Sequence, residues 1–393
     1  MSLQIIKKVQ KHLNEEKADG WLLYDFHGMN DLAHQVLEIP AEHMTTRRFF
    51  YWIPNKGKCI KIVHAIEQGV LDKWPGEKRV YNSWQGLEEI LKSALKGAKK
   101  VAMEYSPKNQ IPYNSKVDGG TIDLIRSFGT EVVSSANFLP YFTAVLTKEQ
   151  ISSHLRAAKG IDQIAEETWK WIFRNLDKKI TEYDAQQHIL KLMEKMGFMT
   201  EGDPIVAVGK NSADPHYDCT MKPARMKRGD FILLDLWCKE KGEKTVFADI
   251  TRVGVAAEKP TPKQEKIFSI VRQAQKSVVE LIKKRLSQKK AIFGYEADDQ
   301  ARGIIEKAGY GKFFTHRTGH SIEVHLHGSG THLDNLEMHD VRKLLRGTCF
   351  SVEPGIYLPG EFGVRLEHDV LIHLDGKVEV TGGEELSIRC LSD

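Results

Sequence analysis

The chain has 393 residues, of which 41% are hydrophobic and 28% charged, and its 57 Lys and Arg against 53 Asp and Glu give a net charge of +4. This is the composition of a chain folded throughout, and the length predicts two domains at roughly 150 residues each. A near balance of charge excludes a nucleic-acid partner, which needs basic residues gathered on one face.

No apolar run approaches the ~18 residues of a membrane span, and the N-terminus lacks the apolar core and small-residue cleavage site of a signal peptide. No membrane partner and a cytoplasmic location are therefore expected. Five scattered cysteines, Cys59, Cys219, Cys238, Cys349 and Cys390, show no CxxC spacing and read as free buried thiols in a reducing compartment.

Ile5, Ile6, Val9 and Leu13 recur near helical spacing, and Gly20 then breaks into the strand-like run GWLLYDF. FFYWIP and CIKIVHAI flank a turn at Asn55-Lys56-Gly57-Lys58 and predict a hairpin. A helix at residues 87–95, a strand at VAMEY, a helix at TIDLIRSF and a strand at EVVSS follow, so the first domain reads as α/β. Tyr24, His27, Arg47, Arg48 and Trp52 read as surface or core residues before contacts to a neighbouring subunit.

At Thr147 the pattern changes to a long stretch of helix formers, with Gln150 placed to complete a capping box. The predicted domains are 1–146 and 147–393. Thr181 and Asp184 cap a further helix, and residues 204–218 are a strand followed by a polar loop carrying His216. Helices are expected at 261–286 and 297–307, with KKRLSQKK (283–290) as a solvated helix end. Beyond His316 the chain reads as strands and loops.

FILLDLW and VFADITRVGV are β-rich runs joined by CKEKGEKT, so a hairpin about Gly242 is predicted. Asp235 and Asp249 each lie seven residues from Gly242 and would face each other on one side of it. SVEPGIY and GVRLEHDVLI repeat the arithmetic, with Glu353 and Glu367 each seven residues from Gly360. Carboxylates held that close repel by about 4 kcal/mol even at an effective dielectric near 20. Protonation, an arginine or a metal are the three groups of remedies.

Arg365, two residues before Glu367, offers one positive charge on the same strand face. Two divalent cations balance four carboxylates, and oxygen ligands with an imidazole suit Mn²⁺, Fe²⁺, Co²⁺ or Zn²⁺. The imidazole has a source in HRTGHSIEVHLHG and beyond, where His316, His320, His325, His327, His332 and His339 cluster.

These motifs resemble the pita-bread metallopeptidases, in the prolidase and aminopeptidase P branch that cleaves bonds preceding proline, over roughly residues 150–393. The resemblance implies an α/β (α+β) chain, a C-terminal pita-bread domain preceded by a smaller creatinase-type N-terminal domain. It implies two divalent metal ions, Mn²⁺ foremost, held by Asp235, Asp249, His320, Glu353 and Glu367, with Asp249 and Glu367 bridging. A hydroxide between the metals would attack the scissile carbonyl, with Glu353 as general base and then acid. His327 matches the histidine that stabilises the oxyanion, His216 and His316 match histidines of the substrate pocket, and Arg365 matches the arginine beside the last ligand. A proline-containing peptide substrate and a homodimer follow from the same likeness.

The chain departs from the family pattern with GHSIE in place of GHGIG, His327-Gly328 in place of HE, and EHD in place of EDD, which puts His368 where an acid is common. The segment between Asp235 and Asp249 is also about three residues longer. Two other classes share the fold: a non-catalytic binding protein, and a creatinase-like hydrolase that works without metal.

Overall fold

In the computed structural model, which describes residues 2–40, 43 and 45–391, the chain divides into two units, one up to Thr143 and one from Ala144 onward. Thr147, where the second domain is expected to begin, caps the first long helix of the second unit.

The first unit runs α1 (Ser2–Glu15), β1 (Gly20–Asp25), α2 (Asp31–Leu37), β2 (Phe49–Pro54), β3 (Ile60–His64), β4 (Glu77–Tyr81), α3 (Trp84–Ala94), β5 (Lys100–Met103), α4 (Gly119–Ser127), β6 (Glu131–Ser134) and α5 (Pro140–Thr143). Its described strands form one sheet in the order β4-β3-β2-β1-β5-β6. Both faces of this sheet are covered, which is why β1 from Trp21 to Tyr24 and β2 from Phe49 to Ile53 carry large buried side chains on both faces rather than alternating with polar ones. Trp21, Leu23, Phe49 and Tyr51 pack with Val9, Leu13 and Val36 on one side, while Leu22, Tyr24, Phe50 and Trp52 pack with Leu87, Leu91 and Ile122 on the other. The predicted β2–β3 hairpin is present; α2 and β4, which carried no clear periodicity, are additions. Tyr24 and Trp52 are core residues, whereas His27 and Arg47 are exposed.

The second unit continues α6 (Lys148–Asn175), α7 (Glu182–Lys195), β7 (Phe198–Met199), β8 (Ile205–Val208), β9 (Phe231–Glu240), β10 (Ala248–Val255), α8 (Pro262–Ser287), α9 (Gly294–Lys307), β11 (Ser321–Ile322), β12 (Cys349–Val352), β13 (Gly355–Leu358), β14 (Phe362–Arg365), β15 (His368–Ile372) and β16 (Val378–Thr381). The capping boxes at Thr147 and Thr181 both form. All five cysteines are buried.

Strands β9 and β10 are the centre of this unit. Ile232, Leu234, Leu236 and Ile250 pack beneath α6 and α7, and Phe231, Leu233, Val253 and Val255 pack on the opposite face against α8 and α9. Strand alternation puts Asp235, Asp249 and Thr251 on this second face, where the apolar cover ends.

The first acidic pair does not face itself as predicted. Asp235 stands opposite Thr251 and Asp249 opposite Trp237, so the two acids are diagonal neighbours. The reason lies in the connection. Val246 and Phe247 leave the hairpin to donate to Ser153 Oγ (3.3 Å) and to the Glu323 carbonyl (3.1 Å), and the Thr245 hydroxyl closes the turn onto the Glu240 carbonyl at 2.6 Å. The loop is therefore not symmetric about Gly242.

The second pair keeps the predicted register. Gly355 pairs with Arg365 on one side of the acids, and Val352 pairs with His368 on the other, so Glu353 and Glu367 are level. Gly360, at φ 77°, supplies the left-handed turn residue. The ladder opens at the acids themselves because Pro354 has no N–H to give. Their own N–H groups turn outward instead, Glu353 to the Thr318 carbonyl (2.7 Å) and Glu367 to the Thr251 carbonyl (3.2 Å).

Candidate metal centre

This second bond carries the two hairpins together, and the four acids line one cavity of about 880 Å³. His216, His316, His320, His327 and Arg365 line it too, so each predicted site residue reaches the same space.

At its floor Asp249, His320 and Glu367 each present a ligand atom within 4.8 Å of the other two. His320 Nε2 is 3.6 Å from Asp249 Oδ2 and 3.4 Å from Glu353 Oε1. The histidine is held from behind, its N–H donating to Ser351 Oγ at 2.9 Å. Asp249 is anchored the same way, its N–H donating to Asp369 Oδ2 at 2.9 Å.

Burial first, and then the neighbouring carboxylates, push the Asp249 and Glu367 carboxyls well above the usual range. Glu353 rises to about 7 through burial, against which Arg365 and Arg317 act. Burial also drives the His320 imidazole well below its ordinary value, with His327 and Arg317 adding to the effect. A neutral imidazole among buried acids is the protonation state a cation site requires.

Arg365 does not relieve this strain on all four acids. Its guanidinium pairs with Asp235, donates through Nε to Thr251 Oγ1 at 3.0 Å, and donates through Nη1 to Tyr357 Oη at 3.0 Å. Asp249 Oδ1 and Glu367 Oε1 remain buried with no hydrogen-bond partner among the described residues. Unpartnered buried carboxylate oxygens are costly unless a cation or proton reaches them. The donor set of carboxylates and one neutral imidazole fits Mn²⁺, Fe²⁺, Co²⁺ or Zn²⁺.

The histidines separate by position. His316 Nδ1 donates to the Arg317 carbonyl at 2.7 Å, leaving Nε2 to accept from the Tyr357 hydroxyl at 2.7 Å. Burial, helped by Arg365, lowers its pKa to about 3. His327 packs edge-on against His320 with ring centroids 4.3 Å apart. Water reaches it from the cavity, yet the protein around it and Arg317 lower its pKa to about 4. His216 lies exposed at the rim. Away from the floor, His325 is exposed, and His339 meets Asn335 Oδ1 at 2.7 Å.

Among the residues not singled out from the sequence, Thr251 and Tyr357 join this network beside Ser351 and Asp369. Period-two spacing from Asp249 would have found Thr251. Tyr357 carried no such signal, because its partners come from two other segments.

The fold and this acidic, histidine-bearing floor define a protein built to hold cations in a substrate-sized cavity. The chain belongs to metallopeptidase family M24, whose family model matches residues 155–373. It is 30% identical over 392 residues to an Xaa-Pro dipeptidase of Pyrococcus horikoshii, covering 96% of this chain and 97% of that one. It is 32% identical over 245 residues to an Xaa-Pro dipeptidase of Lactobacillus helveticus, covering 62% of each. In that match the chain spans less than two thirds of the relative's length. Among solved structures it resembles the dipeptidase PepE from Mycobacterium ulcerans, at 18% identity with a TM-score of 0.70 over 99% of this chain and 98% of that one. Among the described residues no helix is long and apolar enough to cross a membrane.

Proposed function

We propose that the protein is a metal-dependent exopeptidase that hydrolyses peptide bonds preceding proline, as an Xaa-Pro dipeptidase or Xaa-Pro aminopeptidase. The observation that carries this reading is the pair of unpartnered buried oxygens, Asp249 Oδ1 and Glu367 Oε1, beside His320. The names of the relatives supply the proline preference.

Asp235, Asp249, His320, Glu353 and Glu367 would hold two divalent cations, Mn²⁺ foremost. When bound, such cations polarise a scissile carbonyl and lower the pKa of water. The chain's own residues do the rest. Glu353 Oε1 is held by the Ser351 hydroxyl at 3.0 Å, so Oε2 is the oxygen that exchanges a proton. Glu353, whose carboxyl pKa burial raises in the metal-free chain, is placed to take a proton from the attacking water and pass it to the leaving proline nitrogen. His327, on the cavity side of His320, faces the developing oxyanion. His216 and His316 line the substrate pocket, and Arg365 fixes Asp235. A cytoplasmic homodimer is part of the same reading.

The test is turnover by purified, Mn²⁺-loaded protein on Xaa-Pro dipeptides and on longer Xaa-Pro-Yaa peptides. Cleavage of either class is expected, and the comparison assigns dipeptidase or aminopeptidase. Metal-replete protein that cleaves neither overturns the proposal. Failure to bind metal at all, after growth in metal-rich medium and reconstitution, points to a binding protein on the same fold. Undiminished activity in chelator points to a creatinase-like hydrolase.

A further inference from the structure

The loop that carries His327 encloses a buried carboxyl group that the chemistry above leaves without a task. Glu323 is 2% exposed and lies at the base of the loop that carries His327. The Ser321 hydroxyl donates to its Oε1 at 2.8 Å, the Gly330 N–H donates to the same oxygen at 2.7 Å, and the Ser329 hydroxyl reaches Oε2 at 3.3 Å. The loop folds around this side chain: its start at Ser321 and its end at Ser329 and Gly330 are tied to one carboxyl group, with His327 between them. A further bond, from the Gly328 N–H to the Ser321 carbonyl at 2.9 Å, closes the loop on itself.

The space for the carboxyl exists only because residue 328 is glycine. A Cβ built there would lie 2.4 Å from both Cδ and Oε1 of Glu323, a distance no side chain tolerates without displacing the carboxyl. Glu323 and Gly328 are thus complementary, and His327 is the neighbour of one of them. The outer side of the loop is pinned separately, where Lys239 Nζ donates to the Val324 carbonyl at 2.8 Å. Burial raises the Glu323 pKa, while its bonds from Gly330, Ser321 and Ser329 oppose that rise.

We propose that Glu323 is a positioning residue for His327: its buried carboxyl, accommodated by Gly328, ties the two ends of the 321–330 loop and sets the His327 ring edge-on against His320. The inference rests on the peptidase reading for its kinetic consequence, and on geometry alone for its structural one. A misplacement of about 1 Å in a group that stabilises a transition state costs up to roughly 100-fold. Glu323 touches no reacting atom, and its side chain acts on the site through the loop that carries His327.

Four variants test this with Mn²⁺-loaded protein: Glu323→Ala, Gly328→Ala, His327→Ala and the double variant Glu323→Ala/His327→Ala. Glu323→Ala is expected to lower kcat roughly 10- to 100-fold with KM and bound metal unchanged. Gly328→Ala keeps the carboxyl and its donors but crowds them, and is expected to act in the same direction, which serves if Glu323→Ala does not fold. In the double variant the loss should equal that of His327→Ala alone, since a residue acting only through another adds nothing once that one is gone. A crystal structure of Glu323→Ala or Gly328→Ala should show the His327 ring moved from its 4.3 Å contact with His320. Full activity in both single variants, losses that add in the double variant, or an unmoved His327 ring overturns the proposal. Wild-type protein that turns over no Xaa-Pro peptide is instead a failure of the peptidase reading, and the crystal structure then decides the loop by itself.

Discussion

Thr251 stands directly across the ladder from Asp235, and its hydroxyl lies 3.2 Å from Asp235 Oδ1 and 2.7 Å from Glu367 Oε2. The hydroxyl has one proton, which goes to the nearer Glu367, and its lone pair accepts from Arg365 Nε at 3.0 Å. One small side chain therefore joins the two hairpins and orients acids from each. Thr251→Val keeps the shape and removes the hydroxyl. Metal affinity is expected to fall roughly 10- to 100-fold, as when a supporting partner of a ligand is lost. Stability should fall by about 1–3 kcal/mol, because Arg365 Nε and Glu367 Oε2 lose a partner. Equilibrium dialysis against Mn²⁺ and urea unfolding of the metal-free protein measure the two effects.

Asp249→Asn separates folding from metal binding. Its parent carboxyl is buried and held well above the usual range by that burial and by Glu367 and Asp235. Removing a charge the fold already disfavours should leave the metal-free variant melting at or above the metal-free parent. Cation binding should be lost. Calorimetry checks both, because a cation at about 100 times its Kd raises the parent's stability by about 2.7 kcal/mol and should leave the variant unmoved.

Tyr357 transmits the position of Arg365 to His316, accepting from the guanidinium at 3.0 Å and donating to the imidazole at 2.7 Å. In Tyr357→Phe, Arg365 keeps its pairing with Asp235 while His316 Nε2 loses its donor. A rise in KM of about tenfold is expected, the equivalent of one net hydrogen bond of about 1.4 kcal/mol, with bound metal unchanged. Steady-state kinetics on an Xaa-Pro dipeptide reads it directly, and an unchanged KM would place His316 outside the substrate pocket.

His154 sets a pH dependence of stability away from the metal floor. It is fully buried, with Nδ1 donating to the Phe247 carbonyl at 2.7 Å and Nε2 accepting from the Thr381 hydroxyl at 2.8 Å. Burial lowers its pKa from 6.5 to about 4. Between these values the unfolded chain holds a proton that the folded one does not, so stability falls as pH drops from 6.5 towards 4. The loss from this residue is on the order of 3 kcal/mol. His154→Gln should cost stability at pH 7 and cost less at pH 5, and urea unfolding of the metal-free protein at the two pH values tests it.

Much of the frame was legible in the residues. Thr147 with Gln150 and Thr181 with Asp184 announce their helices, because a cap is satisfied within four residues of chain. The register of Glu353 against Glu367 followed from Gly360, because a short turn leaves the flanking strands little freedom. Asp235 and Asp249, expected to be level about Gly242, are offset by two residues. There the connection is long enough for Val246 and Phe247 to bond elsewhere, and those bonds shift the pairing.

By itself, then, the sequence determined which acids and histidines exist to be gathered and which faces of their strands they occupy, since both depend on local spacing. Only the tertiary structure decided that Arg365 pairs with Asp235, 130 residues away, and that Thr251 meets Glu367 across 116 residues. It also decided which oxygens, Asp249 Oδ1 and Glu367 Oε1, are left without a partner. The physical reason is that hydrogen bonding in a buried site is settled by the packing of distant segments, where each donor has one best acceptor and the remaining oxygens define the place for a cation.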